Sequence, residues 1–467
     1  MATFDTLSAF DAQFLYWDSD ATPMNMGNLC IFEGGPLFDE SGSFRLEDVR
    51  RAIASRLHLV PRYRRRVLEV PGGFAHPVLV DDPNFDIANH VRLVRLPEPG
   101  DERRLKEAFA RAHEGMLSHD RPLWEITFIE GLEDGRVGMV QKIHHAPFDG
   151  ATTVEVMSLL FASTPAHAEI EPPPWRPEPP PDPLSLVGAK WGEQVMTFWK
   201  GMFGGAVAAT NGPQALGEIA EAVASLGRIP QPPPTSLNRP VGPRRRFEWI
   251  TTTLSDAKEI RGLVPGSTVN DVMLAAVAGG LRDLLAGRGE HVDALVLQVM
   301  IPVSLRAGTG SGPTVAGNQL TGFVAPLPVC ERDPVRRLER IHASTRELKE
   351  SGQARGIQLM TQTTDFAPAS LMAAAGRAAI EQSSFMNLTV TNVPGPPNEL
   401  YLLGAKMLEL NPMVPIGNQL TLNVAVESYA GKLSVGLAAD ADANPDLEVM
   451  RDGIARALEE LLGRARG

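Results

Sequence analysis

A block of prolines near the middle divides the chain. From Glu171 to Pro183 the sequence reads EPPPWRPEPPPDP, eight prolines in thirteen residues. Each proline fixes φ and removes a backbone donor, so neither a helix nor a sheet ladder runs through such a block. A second cluster, Pro230 to Pro234, closes the region. The chain therefore reads as an N-terminal domain over 1–165, a proline-rich linker with one helix over 166–245, and a C-terminal domain over 246–467. At roughly 150 residues per domain, 467 residues fit two to three such units. A hydrophobic content of 43% against 21% charged residues supplies large cores and excludes a disordered chain.

Charge and cysteine content exclude further classes. Lys and Arg number 44 against 56 Asp and Glu, a net charge of −12, which argues against nucleic acid as a partner. Two cysteines, Cys30 and Cys330, make neither a disulfide framework nor a Cys-rich zinc site, and read as reduced core thiols of a cytosolic protein. Met1 to Phe10 lacks the basic and apolar regions of a secretory signal. No stretch reaches about 18 uninterrupted apolar residues, and the nearest, Phe366 to Ile380, is cut by Arg377. A cytoplasmic protein is expected.

Periodicity places the elements. Leu46–Leu59, Glu102–Leu117 and Thr152–Phe161 read as helices. Trp124–Glu130 and Val137–His144 read as strands joined by a turn at Glu133-Asp134-Gly135. In the second half, Phe247–Leu254, Ala294–Val303, Asn318–Val329, Phe385–Val393, Leu420–Tyr429 and Lys432–Ala438 read as strands, the last two as a hairpin about Ala430-Gly431. Val269–Leu285 and Met450–Leu462 read as helices. The tetrapeptide Gly-Asn-Gln-Leu occurs at 317–320 and 417–420, as two similar strand entries. Between the proline clusters, Val187, Trp191, Val195, Phe198, Trp199 and Met202 form an apolar stripe at helical spacing, with Lys190 and Lys200 nearby. Such a helix either lies on a membrane or lipid inclusion or bridges the two halves.

The chemistry concentrates in Lys142-Ile143-His144-His145-Ala146-Pro147-Phe148-Asp149-Gly150. Imidazole titrates near working pH, so it can accept and return a proton. Two histidines end an apolar strand just before a turn, where a rigid scaffold can hold a catalytic group. Adjacent strand residues face opposite ways, so one histidine serves a channel and the other packs. Asp149 would fix the turn through backbone amides or an arginine.

His144 to Gly150 match the HHxxxDG motif, and with it the chain resembles the CoA-dependent acyltransferase superfamily. Further segments narrow the resemblance to bacterial wax ester synthase/diacylglycerol acyltransferases. These are Leu7 to Tyr16 with Thr22-Pro23-Met24, Pro122-Leu123-Trp124, Asn270-Asp271-Val272, Ile301 to Arg306, Gly317-Asn318-Gln319 and Thr391 to Pro396. They cover nearly the whole chain in order. The resemblance implies an α/β fold of two chloramphenicol-acetyltransferase-like domains, with mixed, largely antiparallel sheets and an active-site tunnel at their interface. It implies acyl transfer from acyl-CoA to a long-chain alcohol or a diacylglycerol, with acyl-CoA as substrate and no cofactor. His145 would be the general base, His144 supporting, Asp149 architectural, and Gly150 the close of the motif. No acyl-enzyme is required, and no GxSxG elbow is present.

Other residues carry two readings each. Asn270 and Asp271 either line the substrate channel or belong to a helix start capped by Thr268. Trp124 is either a substrate contact or a core aromatic, and Asn318 and Gln319 are substrate-binding candidates through the resemblance. Arg62, Arg64, Arg65 and Arg66, and likewise Arg244, Arg245 and Arg246, are either solvated charge runs or a site for the CoA phosphates. Gly308 to Gly312 lacks the lysine of a phosphate loop and reads as a mobile loop. No HExxH or CxxC is present, and neighbouring strand histidines diverge rather than chelate, so no metal is expected. Competing functions are a condensation-type or other small-molecule acyltransferase, a glycerophosphate acyltransferase through His144 and Asp149 as HxxxxD, and an inactive lipid-binding droplet protein.

Overall fold

The computed structural model describes residues 4–73, 75–148, 150–166, 170–183, 185–188, 192, 230–304, 320–350, 386–417 and 419–467. The fold is α/β, built on two six-stranded mixed sheets and a small third one. In chain order the first half holds β1 (Asp5–Thr6), α1 (Ala9–Trp17), β2 (Asn25–Phe32), α2 (Leu46–Arg56), β3 (Arg65–Leu68), β4 (Val78–Asp81), β5 (Val91–Arg95), α3 (Glu102–Ala112), β6 (Trp124–Glu130), β7 (Val137–His144) and α4 (Gly150–Leu160). The second half holds β8 (Arg245–Thr253), α5 (Leu254–Arg261), α6 (Val269–Gly287), β9 (Leu297–Ser304), β10 (Leu320–Leu327), α7 (Pro334–Glu350), β11 (Leu388–Val393), β12 (Tyr401–Leu402), β13 (Ala405–Met413), β14 (Leu422–Tyr429), β15 (Lys432–Asp440) and α8 (Leu447–Arg466).

The first large sheet has the order β12-β13-β2-β7-β6-β5, the second β10-β9-β11-β14-β15-β8. Antiparallel pairs dominate; β5–β6, β9–β11 and β11–β14 are parallel. The turn read at 133–135 does join an antiparallel pair, β6 and β7. One crossover stands out. β12 and β13 follow β11 in the chain, yet β13 pairs with β2 and extends the first sheet. Residues 401–413 thus belong to one half by sequence and to the other by hydrogen bonding.

Alternation along β7 sets the layers. Val137, Met139 and Ile143 join the core that includes Val49 and Ile53 of α2 and Val156 and Met157 of α4. Val140 faces the opposite way, into a core with Leu105 and Phe109 of α3. That second core crosses between the halves: Phe109 meets Phe247 of β8 at 4.4 Å between ring centroids. Lys106 reaches Glu248 at 2.7 Å, both largely buried. The core of the second half is built on α6, which starts with a capping box between Thr268 and Asp271 and packs on α8. Gly280 allows that contact, because a Cβ there would lie 2.5 Å from Ile454 Cγ1.

The proline block runs extended and is pinned rather than loose. Arg64 stacks over the Trp175 ring at 4.9 Å, and the Glu178 N–H donates to Asp81 at 3.1 Å. Leu186 and Val187 join a small apolar cluster with Val70, Val78 and Val80. The remainder of the stripe from Trp191 to Met202, the segment 366–380 and the glycine-rich run 308–312 lie outside the described residues. Cys30 is buried as expected; Cys330 is only half-buried, beside Arg340. No helix among the described residues is long and apolar enough to cross a membrane.

Candidate active site

The two motif histidines are held in different ways. His144 is the last residue of β7 and has no exposed surface. Its Nδ1 accepts the Ala146 N–H at 3.1 Å, which leaves the proton of the neutral ring on Nε2. Nε2 lies 3.4 Å from Asp18 Oδ2, and His119 Nε2 approaches the same oxygen at 3.4 Å. Asp18 caps the C-terminus of α1 and accepts the Met24 N–H at 2.8 Å. Burial works to raise its carboxyl, but hydrogen bonds from His119 and His144 hold it well below the usual carboxylate range. Burial pushes the His144 imidazole down, against the pull of Asp18. The ligand atoms of Asp18, His119 and His144 gather within 4.8 Å. With its proton on Nε2, His144 offers the carboxylate a donor rather than offering a metal a lone pair.

His145 begins the turn. Its N–H donates to the Met24 carbonyl at 2.9 Å, so β2 and the turn hold its backbone. The residue is half-buried and its ring lies flat on Phe14 of α1, with centroids 4.0 Å apart and planes 9° apart. Arg62 fixes the turn from outside, donating to the Pro147 carbonyl at 2.7 Å. The arrangement leaves one imidazole locked in the interior and the other presented on an aromatic platform.

Gly150 opens α4 and touches the second half: a Cβ there would come within 3.2 Å of Val393 Cγ2. Beside it, a cavity of about 40 Å³ lies where the sheets meet, lined among others by Met26, Asn28, Gly150, Thr153, Val393 and Glu427. His145 is not among the residues lining it. Asp149, Asn318 and Gln319 lie outside the described residues. Asn270 starts α6 and accepts from Asn392 of β11 at 3.3 Å. Thr391 and Val393 line the cavity, so Asn392 and its bond to Asn270 lie on the other face of that strand. Asp271, besides capping α6, accepts from Thr345 at 2.8 Å and lies 3.1 Å from His342, tying α6 to α7.

Trp124 is fully buried in an aromatic stack, 4.5 Å from both Tyr63 and His90, and its Nε1 donates to the Tyr63 carbonyl at 2.8 Å. Trp124→Phe leaves that carbonyl without its donor and lowers stability to urea by about 1–3 kcal/mol, with the KM for the acceptor unchanged. A raised KM at unchanged stability would make Trp124 a substrate contact.

Six guanidiniums of the two arginine clusters are already engaged. Besides Arg62 and Arg64, Arg65 pairs with Asp5 at 2.7 Å, Arg244 with Asp442, and Arg246 with Glu448 at 2.6 Å. Arg245 is buried and donates to the carbonyls of Ala21 and Gly242, each at 2.6 Å. They serve as structural ties rather than as a solvated run, and Arg245, through Ala21, ties the two halves together.

Comparison with known proteins agrees with this architecture. The model of the wax ester synthase/diacylglycerol acyltransferase catalytic domain matches residues 7–273, and that of the family's C-terminal domain matches 316–462. A Mycobacterium tuberculosis protein named as a diacylglycerol O-acyltransferase is 31% identical, across 99% of this chain and 91% of its own length. A second one from that organism, named likewise, is 30% identical across 93% of this chain and 91% of its own. Among solved structures, a wax ester synthase/diacylglycerol acyltransferase from Marinobacter aquaeolei VT8 superposes with a TM-score of 0.68 at 24% identity, covering 99% of this chain and 100% of that one. The first condensation domain of the calcium-dependent antibiotic synthetase shares the fold, with a TM-score of 0.61 at 15% identity over 100% of this chain and 98% of its own. The chain is an acyltransferase and belongs to the wax ester synthase/diacylglycerol acyltransferase family.

Proposed function

We propose that the protein moves a long-chain acyl group from acyl-CoA to the hydroxyl of a fatty alcohol or a diacylglycerol, with His145 as general base. The observation that carries this reading is the unequal treatment of the two histidines. His144 is fully enclosed beside Asp18 and the Ala146 amide, whereas His145 is only half-buried at the strand end on a fixed backbone. The relatives' names supply the acceptor classes, and the family supplies the acyl donor.

An alcohol is a poor nucleophile until its proton is accepted in the transition state. His145 takes that proton as the oxygen attacks the thioester carbonyl. A tetrahedral oxyanion forms, which requires pre-aimed donors. Collapse breaks the C–S bond, and the imidazolium returns the proton to the departing CoA thiolate. Ester and free CoA leave; no acyl-enzyme forms and no cofactor takes part. Asp149 and Gly150 shape the turn in this reading, Asn318 and Gln319 support the substrate channel, and Asn270 and Asp271 position β11 and α6 behind it. Contact with a membrane or lipid inclusion, through the segment after the proline block, delivers the apolar acceptor. Purified protein with palmitoyl-CoA and either hexadecanol or dioleoylglycerol should release free CoA and form the matching ester. A folded protein that consumes no thioester with either acceptor would fit a lipid carrier instead.

A further inference from the structure

Glu427 is an unusual group for the place it occupies. It lies on β14 with 5% exposure and borders the cavity at the sheet junction. Asn28, with its amide nitrogen turned toward it, donates to Glu427 Oε2 at 3.1 Å and to the Gly27 carbonyl at 3.0 Å. The other oxygen, Oε1, has no hydrogen-bond partner among the described residues. Burial pushes the carboxyl up to about 8, so at neutral pH the acid form predominates and can donate as well as accept. Much of the remaining wall is apolar, including Met26, Val393, Met413 and Val414.

A buried polar atom without a partner is costly and uncommon, and in a cavity it marks where a further polar group binds. A largely apolar cavity with a few oriented polar groups is also the usual make-up of a small-molecule subsite. The volume of about 40 Å³ admits one small group rather than a chain. The position matters as much as the chemistry. The cavity touches Gly150, which closes the motif that holds His145. For the cavity to serve an acceptor whose hydroxyl lies at His145, the atoms beside that hydroxyl must reach past Gly150 into it. In a fatty alcohol those atoms are methylenes; in a partial glyceride they carry ester groups.

We propose that Glu427 is the polar anchor for the acyl acceptor: it hydrogen-bonds an oxygen function other than the hydroxyl being acylated, and so favours a partial glyceride over a plain long-chain alcohol. This rests on the acyl-transfer reading above. The test compares kcat/KM for dioleoylglycerol with that for hexadecanol, palmitoyl-CoA being the donor, in the full-length protein. The wild type favours dioleoylglycerol. Glu427→Leu lowers the dioleoylglycerol-to-hexadecanol ratio by about tenfold, the worth of one buried hydrogen bond. Glu427→Gln keeps a donor and an acceptor and holds the ratio within about threefold of wild type on the same grounds. Glu427→Met is the second apolar variant should Glu427→Leu not fold. A ratio unmoved in the apolar variants, or a loss shared equally by both acceptors, overturns the proposal and leaves Glu427 a structural or water-bound group. A wild type inactive toward both acceptors would overturn the acyl-transfer reading and this one with it. An active wild type with an unmoved ratio overturns this one alone.

Discussion

Replacing His145 with alanine lowers acyl transfer by about 10²–10⁴-fold, the contribution of a positioned general base. The protein stays folded. The residue is half-buried, its ring stacks on Phe14, and the turn is held in part through its backbone and through Arg62. The measurement is CoA release and ester formation beside a thermal melt. His144→Ala separates the two roles: it leaves the Asp18 carboxylate without one of its donors and the Ala146 amide without its acceptor, so stability falls together with activity. A folded His145→Ala variant with near-normal turnover would remove the base assignment.

Acid destabilises the fold at a pH where carboxylates are still ionised. Burial pushes three imidazoles below their ordinary value: His90, His144, and His113, which falls to about 3. Unfolded, each titrates near 6.5. Below that pH the unfolded chain takes up protons that the native one refuses, so stability present above about 6.5 is lost as pH falls. Glu427 works the other way. Its native value of about 8 exceeds the ordinary 4.5, so between these values the native state holds the extra proton and gains stability as pH falls. Below about pH 6.5 His113 and Glu427 largely offset each other, so the remaining slope is set by His90 and His144 and runs toward lower stability as pH falls. Urea denaturation at pH 7.5, 6.5 and 5.5 should show midpoints nearly level over the first step, where the proton on Glu427 offsets the imidazoles, and falling over the second; Glu427→Gln should turn the level step into a fall. Equal midpoints across that range would mean that the buried rings protonate without unfolding.

The sequence pattern made strands such as β6, β7, β14 and β15 legible because each carries its own signal: an apolar run bounded by turn residues. The capping box at the start of α6 was equally local. The same signal stood unread before α1, where Ser8 and Asp11 cap each other across three residues. It stood unread again before α7, where Asp333 accepts the N–H groups of Val335 and Arg336. What periodicity does not carry is partnership across the chain. Asp18 meets His144 only because α1 ends beside the end of β7. The arginine clusters look like solvated runs until carbonyls and carboxylates from distant segments are brought to them. Glu427 is one of the few polar letters in a largely apolar strand, and its meaning depends on the cavity it borders. The residues of HHxxxDG were found because type, order and spacing are all local; which histidine is enclosed was not.

The lending of β13 to the first sheet also governs biosynthesis. While the ribosome makes the first 400 residues, β2 has β7 on one side and a bare edge on the other, with its backbone groups unpaired. The edge is covered only when Ala405–Met413 emerges, and that segment joins β2 across more than 370 residues of intervening chain. Ring closure of that length delays the final pairing. A fragment ending at the proline block would therefore display an open apolar seam, and splitting the gene there should yield two insoluble products rather than two working modules.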